Sequence, residues 1–184
     1  MSKIEEKVSR KYAPEHDPPL LGYAALLTVH LGLVGAAMVA LDRRGIALGR
    51  IGAGELLLTG VATFKLSRTI SKSWIGTSIR APFTQYVGQG TGDEVKEVAR
   101  GEGIQEAVGD LLTCPFCTGH WVATGLVLGH AVAPGPTRAA TRILTAGAIA
   151  DTLQHLHGWL VKRTDRHHDH EPGHQDHGGR GGHR

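Results

Sequence analysis

Cysteine is scarce, with two residues in a chain of 184. Two cannot build a disulfide framework or a four-cysteine zinc site. Aromatics are sparse as well, three each of Trp, Tyr and Phe. No excess of one charge is present: 20 Lys plus Arg against 17 Asp plus Glu leave a formal +3. A nucleic-acid face needs clustered Lys and Arg, so no nucleic-acid partner is expected. Ser-His-Asp order, HExxH and kinase-like motifs are absent, which removes the common hydrolase and phosphotransfer signatures. The length suits one domain with at most a small appendage.

What the chain does have is long stretches without Asp, Glu, Lys or Arg. One runs from Pro18 to Leu41, with His30 its only side chain that ordinarily titrates near neutral pH. A helix needs about 20 such residues to cross a bilayer core. No A-x-A-like cleavage site closes the run; Asp42-Arg43-Arg44 follows, which fits an uncleaved anchor. A second run spans Leu111 to Thr137, and a third, Ile143 to Val161, is broken only by Asp151. A fourth, Ile46 to Phe64, carries Arg50 and Glu55. Glycines inside the runs suit close helix approach in lipid. The expected fold class is therefore all-α: a polytopic integral membrane protein with four, alternatively three, transmembrane helices. The competing reading is a soluble bundle with buried core helices.

Lys and Arg sort the connecting segments. With four spans, residues 1–17, the loop 65–110 and the tail share one side with 15 basic residues, against 5 on the other. The positive-inside rule places that side in the cytoplasm. With three spans the tail stays inside. The expected organisation is a polar arm over 1–17, a membrane domain over 18–161 with a cytoplasmic loop 65–110, and a disordered His- and Gly-rich tail over 162–184. Basic and apolar residues alternate over 65–86, and Trp74 and Tyr86 among them suit a headgroup layer. Gly88–Gly92 reads as a hinge, and 93–108 as a short helix interrupted at Gly101 and Gly103.

Thr113-Cys114-Pro115-Phe116-Cys117-Thr118-Gly119-His120-Trp121 is the stretch most able to carry chemistry. Pro115 favours a first helical position, which makes Cys114 an N-cap and sets Cys117 one turn on. Three readings stand side by side. Cys114 and Cys117 form a redox dithiol, the catalytic pair of a membrane thiol oxidoreductase. Alternatively Cys114, Cys117 and His120 ligate a soft divalent metal such as zinc, with a further histidine as fourth ligand. In the third, the cysteines are packing residues at a helix entry. Asp151 and His155, four apart, and Glu55 are polar groups within candidate spans; each should face protein and find a partner there.

Three segments together resemble a family: Ala62-Thr63-Phe64-Lys65-Leu66-Ser67-Arg68, Arg80-Ala81-Pro82-Phe83-Thr84, and Gly109 through Trp121. In order and content they are similar to the small bacterial membrane family known as domain of unknown function 1360, or DUF1360. Some of its members occur in spore-forming bacteria and are linked to sporulation. The resemblance implies a layout over about residues 50–160 and no particular reaction. The expectation is thus a small bacterial inner-membrane protein with its tail in the cytoplasm, a structural or interaction subunit of a larger assembly. Its partners would be the lipid bilayer and another protein or further copies of itself.

Overall fold

In the computed structural model, which describes residues 8–9, 11–13, 15, 18–46, 49, 51–92 and 94–168 (backbone only over 164–168), Pro18 and Pro19 lead directly into α1, Leu20–Arg43. The helix stops at Gly45, whose φ of 66° is left-handed. The Gly45 N–H donates to the Asp42 carbonyl and the Ile46 N–H to the Leu41 carbonyl, each at 2.9 Å. That pair of bonds is a Schellman motif, which satisfies carbonyls the helix end would otherwise leave open.

Helix α2, Ala53–Lys72, ends where Ser73 turns extended. A short helix α3, Thr77–Arg80, precedes strands β1, Thr84–Gln89, and β2, Val95–Ala99. The strands pair antiparallel, Thr84 opposite Ala99 and Gln89 opposite Val95, with a bulge between Tyr86 and Gly88. Gly103, at φ 61°, opens α4, Ile104–Thr113. Next come α5, Pro115–Val132, and α6, Pro134–His168. Contacts divide the chain into two units, Met1–Ala148 and Ile149–Arg184, the boundary falling within α6.

Helices α2 and α5 make the principal helix–helix contact of the first unit. Their seam is built from small and hydroxyl side chains. Ala62, Thr59, Ser67 and Ser71 of α2 are buried, as are Thr118 of α5 and Thr141 and Thr145 of α6. Ser71 Oγ donates to Thr118 Oγ1 at 3.2 Å, and Thr118 Oγ1 donates to the Leu111 carbonyl at 2.8 Å. Thr145 Oγ1 donates to the Leu58 carbonyl at 3.0 Å, tying α6 to α2. Large apolar side chains point the other way: Leu27, Leu31 and Leu33 of α1 and Leu57 and Phe64 of α2 are all exposed.

Two expectations need correction. The fold is mostly helical, but it is not all-α, because the segment expected as a hinge and interrupted helix forms the β1–β2 hairpin. Nor do the described residues support four or three spans. Among the described residues, α1 alone is long and apolar enough to cross a membrane. The pair α4 and α5 passes only as one broken span, bent by 85° at Cys114. The physical reason is that a run without charge is not yet an apolar run. Gly, Thr and two His dilute α5, Asp151, His155 and His157 dilute α6, and α2 carries Glu55, Lys65, Arg68 and Lys72. Residues 65–110, expected as a loop, hold the end of α2, α3, the hairpin and α4. Residues 162–168 continue α6, while the histidines beyond His168 and most of the arm 1–17 lie outside the described residues.

Candidate functional site

The break between α4 and α5 brings the two cysteines together. Thr113 is the last residue of α4 and Pro115 the first of α5, so the single intervening residue, Cys114, must be extended, with φ −99° and ψ 107°. Pro115 has no N–H to lose at the first helical position. The Cys114 thiol caps the new helix, accepting from the Cys117 backbone N–H at 3.3 Å. Cys117 Sγ in turn donates to Cys114 Sγ at 2.7 Å. Both thiols are free, Cys114 half-buried and Cys117 exposed. Burial, the hydrogen bond to Cys114 and the charges of Cys114 and Asp110 push the Cys117 thiol up to about 11. Cys117 therefore keeps its proton at neutral pH.

His120, the third residue of the expected metal set, is hydrogen-bonded within its own helix. Its Nδ1 lies 3.0 Å from the Phe116 carbonyl. A carbonyl only accepts, so Nδ1 carries the proton and the ring is bound back along its own helix. Among the described residues no three His, Cys, Asp or Glu side chains are grouped to hold a metal ion.

Beside the dithiol, α1 is locked to α4. Tyr23 OH donates to Asp110 Oδ2 at 2.7 Å. One residue earlier, Gly22 sits so close that a Cβ there would meet Ala107 Cβ at 2.7 Å and the Gly103 carbonyl at 2.8 Å. Nearly two turns into α5, Trp121 meets His30 of α1 edge-on, with ring centroids 4.7 Å apart.

Of the polar residues expected inside spans, Glu55 has partners. Arg138 Nε donates to Glu55 Oε1 at 2.9 Å, and His130 Nδ1 lies 3.4 Å from the same oxygen. The other His130 nitrogen is 3.3 Å from Thr59 Oγ1. The Arg138 hydrogen bond, together with the charges of Arg138, His130 and Arg142, holds the Glu55 carboxyl below the usual carboxylate range. Asp151 and His155 belong to the second unit, where Asp151 is half-buried and His155 exposed.

Sequence reasoning missed the most enclosed polar group, Arg80. Its side chain is fully buried and Glu97 is 4% exposed. Arg80 Nε donates to Glu97 Oε2 at 2.6 Å and Nη2 to Glu97 Oε1 at 3.1 Å. Further donation goes to the Ser73 carbonyl at 3.1 Å, Thr77 Oγ1 at 3.2 Å and the Ile70 carbonyl. One guanidinium thus joins the end of α2, α3 and β2, and Thr84 Oγ1 adds β1 by donating to Glu97 Oε2 at 3.1 Å. Burial pushes the Glu97 carboxyl up, but the Arg80, Thr84 and Thr77 bonds and the Arg80 charge prevail and hold it below its ordinary value. The available signal was Val95-Lys96-Glu97-Val98, a period-two pattern that puts Glu97 on the face of buried Val95. The hairpin then abuts α4 at Gly109, where a Cβ would meet the Phe83 carbonyl at 2.5 Å and Ala99 Cβ at 2.7 Å. Ser67 of the first resembling segment, Arg80 and Thr84 of the second, and Gly109 and Thr118 of the third therefore occupy adjoining layers of one structure.

A family model described as "Protein of unknown function (DUF1360)" matches residues 57–157, just over half of the chain. The chain is 29% identical over 104 residues to the sporulation protein YjcA of Bacillus subtilis (strain 168), covering 55% of this chain and 88% of that protein. No solved structure matches significantly.

Proposed function

The chain belongs to the DUF1360 family of proteins of unknown function, and from that premise we propose that it is a membrane-anchored bacterial protein with a structural or partner-binding role. Helix α1 is the anchor, and the hairpin layer with the α4–α5 junction is the part presented to a partner. The carrying observation is α1 itself: 24 residues, strongly apolar and 6% buried over its most apolar window. The core helix of a soluble protein would be mostly buried. A cleaved leader would not be built into the fold, whereas Gly22, Tyr23 and His30 bind α1 to α4 and α5. The outward apolar and inward hydroxyl arrangement of the first unit also supports an apolar environment. The relative's name, a sporulation protein, fits a role in a membrane assembly of that process. The Lys and Arg count that assigned the tail to the cytoplasm presumed three or four crossings. With α1 as the anchor, it no longer fixes a side.

Alkaline carbonate extraction tests the anchor. The full chain should stay in the membrane pellet, and its intact mass should include α1. Release of the chain, or a mature mass lacking residues 1–44, refutes the reading. Stoichiometric co-purification of a second protein in mild detergent is the expected sign of the structural role.

The Cys117–Cys114 contact of 2.7 Å favours one second reading, a thiol oxidoreductase. Its two thiols would lose two electrons and two protons to a partner's disulfide, closing Cys114–Cys117 and leaving the partner as two thiols. A reversible couple measured in glutathione buffers would support it. Thiols that stay reduced in oxidised glutathione would exclude it.

A further inference from the structure

We propose that the turn between α2 and β1, carrying Trp74, Ile75 and Ile79, is a lipid-interface contact seated in the headgroup region of the bilayer leaflet where α1 begins. The inference rests on the reading of α1 as a membrane anchor and adds a second, separate point of attachment.

Three observations carry it. First, the turn displays large apolar groups outward. Ile75 is 82% exposed, and Trp74 and Ile79 are each 55% exposed. Ile75 and Ile79 are four residues apart across the helical turns of 74–80 and so share a side. Trp74 meets Tyr86 of β1 with ring centroids 5.7 Å apart. Trp and Tyr pair an apolar body with a polar tip, the chemistry of the membrane–water boundary.

Second, the display is rigid. Arg80 holds the turn from inside through the Ile70 and Ser73 carbonyls and Thr77, so no apolar side chain can fold back into the space the guanidinium fills. A Cβ at Gly76 would collide with the Ile70 and Thr69 carbonyls. Outward apolar side chains on a fixed turn lose little conformational freedom on docking.

Third, the turn lies at the correct end. The first turns of α1 rest on α4 through Gly22 and Tyr23. Helix α4 rests on the hairpin through Gly109, and the hairpin bears Tyr86 against Trp74. Where α1 enters the apolar core, this layer is at headgroup level. Lys72 stands two residues before Trp74, and Lys96 is exposed on β2; both suit anionic headgroups. The nearby Glu94 is already engaged by Arg68, so it does not repel them.

The test uses the full chain in phosphatidylethanolamine–phosphatidylglycerol vesicles, with Trp121→Phe and Trp159→Phe leaving Trp74 as the sole indole. Bromine placed on the acyl chains close to the headgroups should quench Trp74 at least about twofold, and bromine near the chain ends should quench it less. Aqueous iodide should have little access. Ile75→Asp with Ile79→Asp should reverse both results. Should the double-Phe background fold poorly, the same quenching is read as the difference between wild type and Trp74→Phe. Free access of iodide with no bromine quenching overturns the inference. So does a Trp74 shielded from both, which would mean that a second copy or another protein covers the turn. Carbonate resistance of the same vesicles scores α1 independently, so failure of the turn and failure of the anchor are distinguishable.

Discussion

Glu97→Gln should be the most damaging near-isosteric change in the chain. Arg80 is 0% exposed and Glu97 4%, so neither head group has water as a second partner. The substitution keeps one accepting oxygen but turns an NH2 group toward a guanidinium that already donates at five sites. It leaves a buried positive charge unpaired. Removing one partner of such a pair costs about 3–5 kcal/mol. For a chain of this size, 1 kcal/mol moves Tm by roughly 2–4 °C, so a loss of about 6–20 °C is expected. The double variant Arg80→Met, Glu97→Leu removes both charges and should recover most of that loss. Thermal melts in mild detergent, followed by near-ultraviolet circular dichroism, read both effects. The pH dependence gives an independent check. Folding depresses the Glu97 pKa. Its contribution is therefore present above the ordinary glutamate value, about 4.3, and is lost as pH falls through the lower folded-state value. Wild type should show this acid limb, and Glu97→Gln should lack it. A Tm change under about 2 °C for Glu97→Gln, or equal losses in single and double variants, would refute the claim that this pair is dry and coupled.

Gly109→Val should destabilise the hairpin layer by about 1–3 kcal/mol, since its Cβ would press on the Phe83 carbonyl and Ala99; denaturant midpoints measure the loss, and Gly125→Val, with open space around it, is the control. Cys114→Ala should cost about 1 kcal/mol of capping, while Cys114→Ser should retain the cap, a difference that thermal melts resolve. Cys117, raised to about 11, should alkylate slowly at pH 8 and accelerate only well above the usual thiol range near 8.5; mass spectrometry of maleimide adducts across pH checks this. Gly22→Leu should loosen α1 from α4 and expose Tyr23 to water without releasing the chain into carbonate supernatant, because the apolar length of α1 is untouched.

How much could be read in advance differs by residue, for physical reasons. Cys114 as cap and Pro115 as first helical residue were legible because capping is local and depends on two adjacent residue types. The length and apolar character of α1 were legible because composition alone decides them. The hairpin was not. β1 and β2 are six and five residues long, one carries a bulge, and Lys96 and Glu97 disguise the inward alternation of Val95, Glu97 and Ala99. Span number is not legible from charge alone, because hydroxyls, glycines and histidines lower the hydropathy of α5 and α6 without adding charge. Arg80 could be quoted as part of a recognisable segment, but its partner lies seventeen residues away on another element. The alternation around Val95 turns Glu97 inward, but nothing local names Arg80 as its partner.

The hydroxyl seam between α2, α5 and α6 has a consequence for how the molecule comes together. Its helices recognise one another through short side chains and bonds such as Ser71–Thr118 and Thr145–Leu58, not through the expulsion of water from large apolar faces. Contacts of that kind keep their value in hydrocarbon and in detergent micelles alike. Assembly of the first unit should therefore be governed by geometry at the seam. Re-engineering its outer apolar side chains into polar ones would alter where the protein dissolves while leaving the fit of these helices unchanged.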